Sequence, residues 1–348
     1  MPHTQQTLQN IADILSFESD KTLLKERLER ETMDWDHLVR LGSSHLVLPA
    51  IYCRLKAKQL LNTLPMELES YLKEITDLNR ERNQQLLAEA QQISQWFQEA
   101  GIDHVFLKGT AMLASGYYED IGERMVGDLD ILIESSRIKM ALTTVKNNGY
   151  ENVYDLSYQE KNHRHLDRMA KEGHIGAIEL HTNLLRKNYR SLIDLAAMLN
   201  SCNLTKKISI PNPSYLKTHN ILNWQINDYG FQKKKLAFRS LYDFCVLNHQ
   251  FPKENFKNSK YTESYLSIGG LYFKELISFD SSLIGQKHKN SYISILRYPR
   301  LWNTYFDSID FIKGIQNKIT YFLTDPKYRT YLYQTVILKK PNINTPQN

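Results

Sequence analysis

The sequence predicts an α+β protein: a small mixed β-sheet with intervening helices, flanked by α-helical regions on both sides of the chain. Three observations carry this. Apolar residues recur at helical spacing from Thr7 to Ala100, short β-branched and aromatic runs alternate with helical ones between Ile102 and Leu180, and helical spacing returns after Pro213. We therefore divide the chain into an N-terminal helical region over 1–100, a sheet-bearing core over 101–210 and a C-terminal helical region over 211–348.

In the first region Leu8, Ile11, Ile14 and Leu15 share a helical face, and Leu38 and Leu41, then Leu46 and Leu48, continue the pattern. Pro49 and Pro65 punctuate it, and Glu67 and Glu69 after Pro65 suit a first helical turn. Four or so helices forming a leading bundle are expected, the last rich in Asn, Gln, Glu, Leu and Ala from Leu78 to Phe97. The polar tract Asn79 to Gln85 reads as a solvated face rather than an RNA contact, and His37 and His45 read as core-edge or surface residues.

The core opens with Val105 to Leu107, a strand stopped by Lys108-Gly109, and Ala111 to Ala114 begin a short apolar helix. Gly109-Thr110 thus sits at a strand-to-helix turn. Such a turn can seat phosphate: glycine lets the backbone approach, helical N–H groups point at the anion, and Thr110 and Lys108 add donors. In the next strand, Asp128 to Ile133, alternation sends Leu129, Ile131 and Ile133 to the core and puts Asp128 and Asp130 together on the opposite face. Two strand rises separate their α-carbons by about 6.6 Å. Two such charges repel by roughly 3 kcal/mol at an effective dielectric near 20, so a water-poor site needs a cation there. Oxygen ligands suit Mg²⁺ or Mn²⁺.

Ser135-Ser136 then read as an N-cap, Ile138, Ala141, Leu142 and Val145 as a helix face, and Asn147-Asn148-Gly149 as its end. Tyr150 to Leu156 reads as a strand, followed by a polar loop with His163, His165 and Lys171. In Gly173 to His181, residues Ala177, Glu179 and His181 share one strand face. His163, His165 and His181 lack a fourth ligand at suitable spacing, so no zinc site is read. Leu184 to Leu199 shows a helical period, and Leu204 to Ile210 reads as an edge strand or arm ending at Pro211-Asn212-Pro213. Ser214 to Trp224 and Lys233 to Leu247 are amphipathic, with Lys233-Lys234-Lys235 as a solvated helix start. Tyr and Phe recur through a helical region from Gln250 onward, and the tail after Lys340 reads as disordered.

The formal charge of +6 comes from 44 basic against 38 acidic residues, which suits a nucleotide and gives no strong nucleic-acid signal. Cys53, Cys202 and Cys245 are too few and scattered for a disulfide framework, so a reducing, cytoplasmic setting is expected. No apolar run approaches 18 residues and the first residues lack a signal-peptide pattern, so no membrane partner is expected.

The series of strand, Gly-Thr turn, helix and Asp-x-Asp strand resembles the DNA polymerase β-like nucleotidyltransferase superfamily, whose signature has Gly-Ser at the turn. LKGTAM, Tyr117, Arg124 and DLDILI look like a branch of uncharacterised bacterial nucleotidyltransferases with a Leu-Lys-Gly opening. The likeness covers about residues 102 to 250; Thr110 stands where serine is usual, and the gap to Asp128 is longer than in compact members. It implies that Glu179 is a third carboxylate, so that Asp128, Asp130 and Glu179 are catalytic and hold two Mg²⁺ ions. Lys108, Gly109, Thr110 and Arg124 would then bind the nucleotide, Arg124 being equally readable as a structural ion pair. The implied reaction moves a nucleoside monophosphate from an NTP, expected to be ATP, to an acceptor hydroxyl and releases pyrophosphate. Small molecule, protein and RNA acceptors all stay open. Tyr117 and Tyr118 read as packing or base-stacking residues, and His219, Arg239 and Asp243 as structural residues or cleft lining. A second reading is a nucleotide-sensing or antitoxin-like regulatory protein without turnover.

Overall fold

A computed structural model describes residues 3–153, 158, 163–279 and 282–337. The chain begins with helices α1 (His3–Leu15), α2 (Lys21–Leu28), α3 (Trp35–Ser44), α4 (Leu48–Ala57) and the 34-residue α5 (Met66–Glu99). Their starts are chemically marked. Asp20 accepts from the Leu23 N–H and Asp34 from the His37 N–H, while Pro49 lies in the first turn of α4. Leu8, Ile11, Ile14 and Leu15 are buried, as their spacing required.

The core follows as β1 (His104–Phe106), α6 (Lys108–Ser115), β2 (Asp128–Ile133), α7 (Ile138–Asn147), β3 (Glu151–Asn152), β4 (Met169–Ala170) and β5 (Ala177–His181). Its five strands are ordered β1-β2-β5-β4-β3, with β2 and β5 parallel and the other pairs antiparallel. The expected α+β class with a small mixed sheet is therefore what the chain forms. Of the strand expected over Tyr150 to Leu156, Glu151–Asn152 pairs with β4; residues 154–157 lie outside the described residues, as does the tail after Lys340. Leu129, Ile131 and Ile133 enter one core that runs from Leu8 to Tyr292. Leu132 points the other way, into a smaller cluster with Val105, Leu107, Leu184 and Met198.

Beyond the sheet come α8 (Leu195–Asn200), β6 (Asn203–Thr205), β7 (Ile208–Ile210), α9 (Pro213–Leu222), α10 (Gly230–Lys233) and α11 (Phe238–Gln250). The chain then forms α12 (Lys260–Gly269), α13 (Leu283–Arg297), α14 (Pro299–Thr324) and α15 (Pro326–Leu332).

Four readings are corrected. Leu184 to Leu199 is not one helix: a 3₁₀ segment covers Lys187–Leu192, and Asp194 caps α8 by accepting from the Ala197 N–H. Leu204 to Ile210 belongs to a hairpin, not a single strand, because Lys206 and Lys207 turn the chain at φ of 52° and 65°. That left-handed pair is the geometry of a tight two-residue hairpin turn, which Asn-Gly usually signals. Lys233-Lys234-Lys235 ends a helix rather than starting one: Lys234 has φ of 50°, and α11 begins only at Phe238.

The fourth correction concerns the polar tract of α5, which is a solvated face only in part: Glu81, Gln84 and Gln85 are exposed, and the rest of it faces the protein. Asn79 and Asn83 are buried. Asn79 Nδ2 donates to Gly122 O at 2.7 Å, and Asn83 Nδ2 to Ile121 O and Arg124 O, each at 2.7 Å. Arg80 grips both Asp120 carboxylate oxygens at 2.9 and 2.8 Å, and Arg82 donates to Val126 O. Further along the helix, Glu89 accepts from Ile175 N and Gly176 N at 2.7 and 2.8 Å. One helix thus holds the segments that lead into both β2 and β5.

Candidate active site

The parallel register of β2 and β5 sets Asp130 beside Glu179 and Asp128 beside Ala177. Alternation then brings Asp128, Asp130, Glu179 and His181 onto one face of the sheet. β1 supplies the third wall: the Leu107 N–H donates to Asp130 O at 2.9 Å, and the next residue opens α6. Lys108 starts that helix with φ of 48°, and its ammonium lies 2.5 Å from Asp130 Oδ1.

Asp130 is only 7% exposed, so its charge depends on neighbours. His181 Nε2 lies 2.8 Å from Asp130 Oδ1 and 3.5 Å from Glu179 Oε2, and His165 Nε2 lies 3.9 Å from that same Glu179 oxygen. Burial opposes ionisation of Asp130, but Lys108 and His181 outweigh it and hold its carboxyl well below the usual range. Glu179 is likewise held low, His181 overcoming its burial. Burial pushes Asp128 up, against the pull of Arg168, with which it pairs. Asp130, Glu179 and His181 each offer a ligand atom within 4.8 Å of the others. These are residues able to hold a divalent ion.

The expected phosphate residues have additional partners. A Cβ on Gly109 would stand 2.8 Å from Val126 Cγ2, so glycine lets α6 lie against the segment before β2. Thr110 is buried and its hydroxyl donates to Asp128 O at 3.3 Å, tying α6 to the aspartate strand. Arg124 Nε donates to both oxygens of Asp243 at 2.8 and 3.0 Å, and the Tyr118 hydroxyl donates to the same carboxylate. Arg124 and Asp243 thus form a buried ion pair between the segment before β2 and α11. Tyr117 packs edge-on against Phe251.

Beside this acidic face opens a cleft of about 100 Å³, lined by Lys108, Arg124, His219, Trp224, Asp228 and Arg239. His219 is 3% exposed, and its Nε2 has no hydrogen-bond partner among the described residues. Burial, with Lys108 nearby, pulls its pKa down to about 3. Burial and Arg124 likewise pull Arg239 down to about 10. The lining of the cleft sets Lys108, Arg124 and Arg239 against Asp228 and Asp243, next to the carboxylates of the sheet face.

Sequence reasoning placed the two aspartates and Glu179 together, and the sheet brings them together. It missed Arg168, which sits in a polar loop with no local signal, and it weighed His181 only as a zinc ligand. The alternation of Ala177, Glu179 and His181 held that second signal. It also left Asp228 unread at the mouth of the cleft.

No curated protein matches the chain. Residues 31–261, about two thirds of the chain, match the model of a family described as uncharacterised nucleotidyltransferase. This match takes in α3 to α11 and with them the acidic face and the cleft, so the chain belongs to that nucleotidyltransferase family.

Proposed function

We propose that this nucleotidyltransferase moves a nucleoside monophosphate, AMP from ATP, to an acceptor hydroxyl and releases pyrophosphate, in the manner of the DNA polymerase β-like superfamily. The observation that carries the reading is the in-register pair Asp130–Glu179, with Asp128 two residues before Asp130 on the same face. The donor set fits Mg²⁺ or Mn²⁺: three carboxylates share a face, and buried Asp130 already draws the Lys108 ammonium and the His181 ring. Asp128, Asp130 and Glu179 would hold the ions. When bound, such ions supply charge neutralisation at the triphosphate and a lower pKa at the acceptor.

The protein's own groups do the rest. Lys108 and the first turn of α6, with Gly109 and Thr110, meet the phosphates, and Arg239 adds charge from the opposite wall. Trp224 offers a ring face for the base. His219, neutral at ordinary pH, donates or accepts one hydrogen bond without adding charge. Arg124 braces this wall through Asp243. The three free cysteines accord with a reducing, cytoplasmic setting.

The test is pyrophosphate release from labelled ATP in the presence of cell extract, with the labelled product identified by mass spectrometry. Release that disappears in Asp130→Ala supports the reading. ATP binding with no release from either protein in any acceptor pool would replace it with nucleotide sensing.

A further inference from the structure

α14 is 26 residues long, yet Phe306 is its one buried residue among those described. Leu301, Phe311, Ile312, Ile315, Ile319 and Phe322 are 43 to 70% exposed. At 100° per residue these side chains and Tyr305 span an arc of about 120°, and Ile309 extends it to about 160°. A two-stranded coiled-coil seam is narrower than this. Arg300 and Lys318 border one edge of the arc, with Asp307 just behind them, and Lys313 borders the other, whereas Asp310 turns back to pair with Lys233.

Charge follows the same helices. Residues 283–348 contain ten Lys and Arg against three Asp and Glu, an excess of seven, while the whole chain carries +6, so the rest of the protein is at −1. The net positive charge of the chain is thus confined to the region with the uncovered apolar face.

We propose that α14 lies along an anionic lipid surface, its apolar arc in the headgroup boundary and its flanking Arg300, Lys313 and Lys318 reaching to lipid phosphates. Leucine and isoleucine outnumber the aromatic residues in the arc, which suits acyl chains better than nucleobases. No described helix is long and apolar enough to cross a membrane, so the contact is along the surface. The inference is independent of the reading of the acidic site.

Flotation of the full-length protein with vesicles tests it. Phosphatidylcholine vesicles containing phosphatidylglycerol should bind at least about tenfold more protein than phosphatidylcholine alone, and added salt should reverse this. Ile312→Asn with Ile319→Asn, both exposed, should lower binding at least about tenfold while the circular dichroism melt stays unchanged. Lys313→Gln with Lys318→Gln should do so for anionic vesicles only. No flotation, or equal flotation of the isoleucine variant, overturns the proposal. A dimer in light scattering that this variant abolishes, with no vesicle capture, overturns it in favour of pairing between two copies.

Discussion

Lys108 and Asp130 form an ion pair across the junction of β1, α6 and β2, 2.5 Å apart and largely shielded from water. Removing one partner strands the other in a poorly solvated place. Lys108→Met should therefore destabilise the ion-free protein by about 2 kcal/mol, His181 compensating in part. Millimolar Mn²⁺ should recover most of that loss in urea denaturation. A loss that the ion leaves unchanged would remove Asp130 from the ion site.

Binding should depend on the same carboxylate. Calorimetry with a non-hydrolysable ATP analogue should show affinity in Mg²⁺ that drops strongly in EDTA and in Asp130→Ala. Equal affinity in all three conditions would contradict the site.

Glu179 separates turnover from binding. Glu179→Gln should leave ATP affinity almost intact while pyrophosphate release falls by ~10²-fold or more, since a positioned acidic group is lost but Asp128 and Asp130 remain. A variant as active as the wild type would return Glu179 to the status of an ordinary strand residue. Asp167 would be the next candidate; Asp155, the other, lies outside the described residues.

Acid should unfold the protein partly through His219. Its pKa is about 3 when folded against 6.5 ordinarily, so it is neutral in the native state and takes up a proton on unfolding between those values. The unfolded chain binds more protons in that window, so stability falls as pH drops from about 6.5 towards 3. His219→Gln should flatten the dependence near pH 5 by up to about 1.4 kcal/mol per pH unit. An unchanged slope in urea titrations at pH 4.5, 5 and 5.5 would show that His219 is already charged in the fold.

Asn83→Ala should cost about 1–3 kcal/mol, because Ile121 O loses its side-chain donor and Arg124 O keeps only Asn79 Nδ2 at 3.2 Å. Turnover should fall further than stability explains, since the segment entering β2 loses one of its anchors. A loss under 0.5 kcal/mol in chemical denaturation would return this residue to the solvated face assumed from sequence.

Much of the sheet was legible because alternation is a local signal: Leu129, Ile131 and Ile133 against Asp128 and Asp130 needs only six residues to read. Glu179 was legible as a strand residue, but its place beside Asp130 depends on a parallel pairing that no local pattern encodes, and only the family resemblance suggested it. The asparagines of α5 were misread for a physical reason. A polar helix face looks alike whether water or backbone carbonyls satisfy it, and the carbonyls belong to a segment some forty residues away. Lys206-Lys207 hid a turn that glycine would have announced, and Arg168 meets Asp128 only once β4 and β5 are paired.

The rod formed by α5 also limits how such a chain can drift. Asn79 and Asn83 grip the approach to one acidic strand, and Glu89 grips the approach to the other. A single residue inserted between Asn83 and Glu89 would swing the second grip by about 100° and shift it 1.5 Å along the axis, parting Glu179 from the aspartates. Between these anchors the helix can exchange side chains freely, but its length is locked to the spacing of the acids. Change here can come by substitution and not by insertion or deletion.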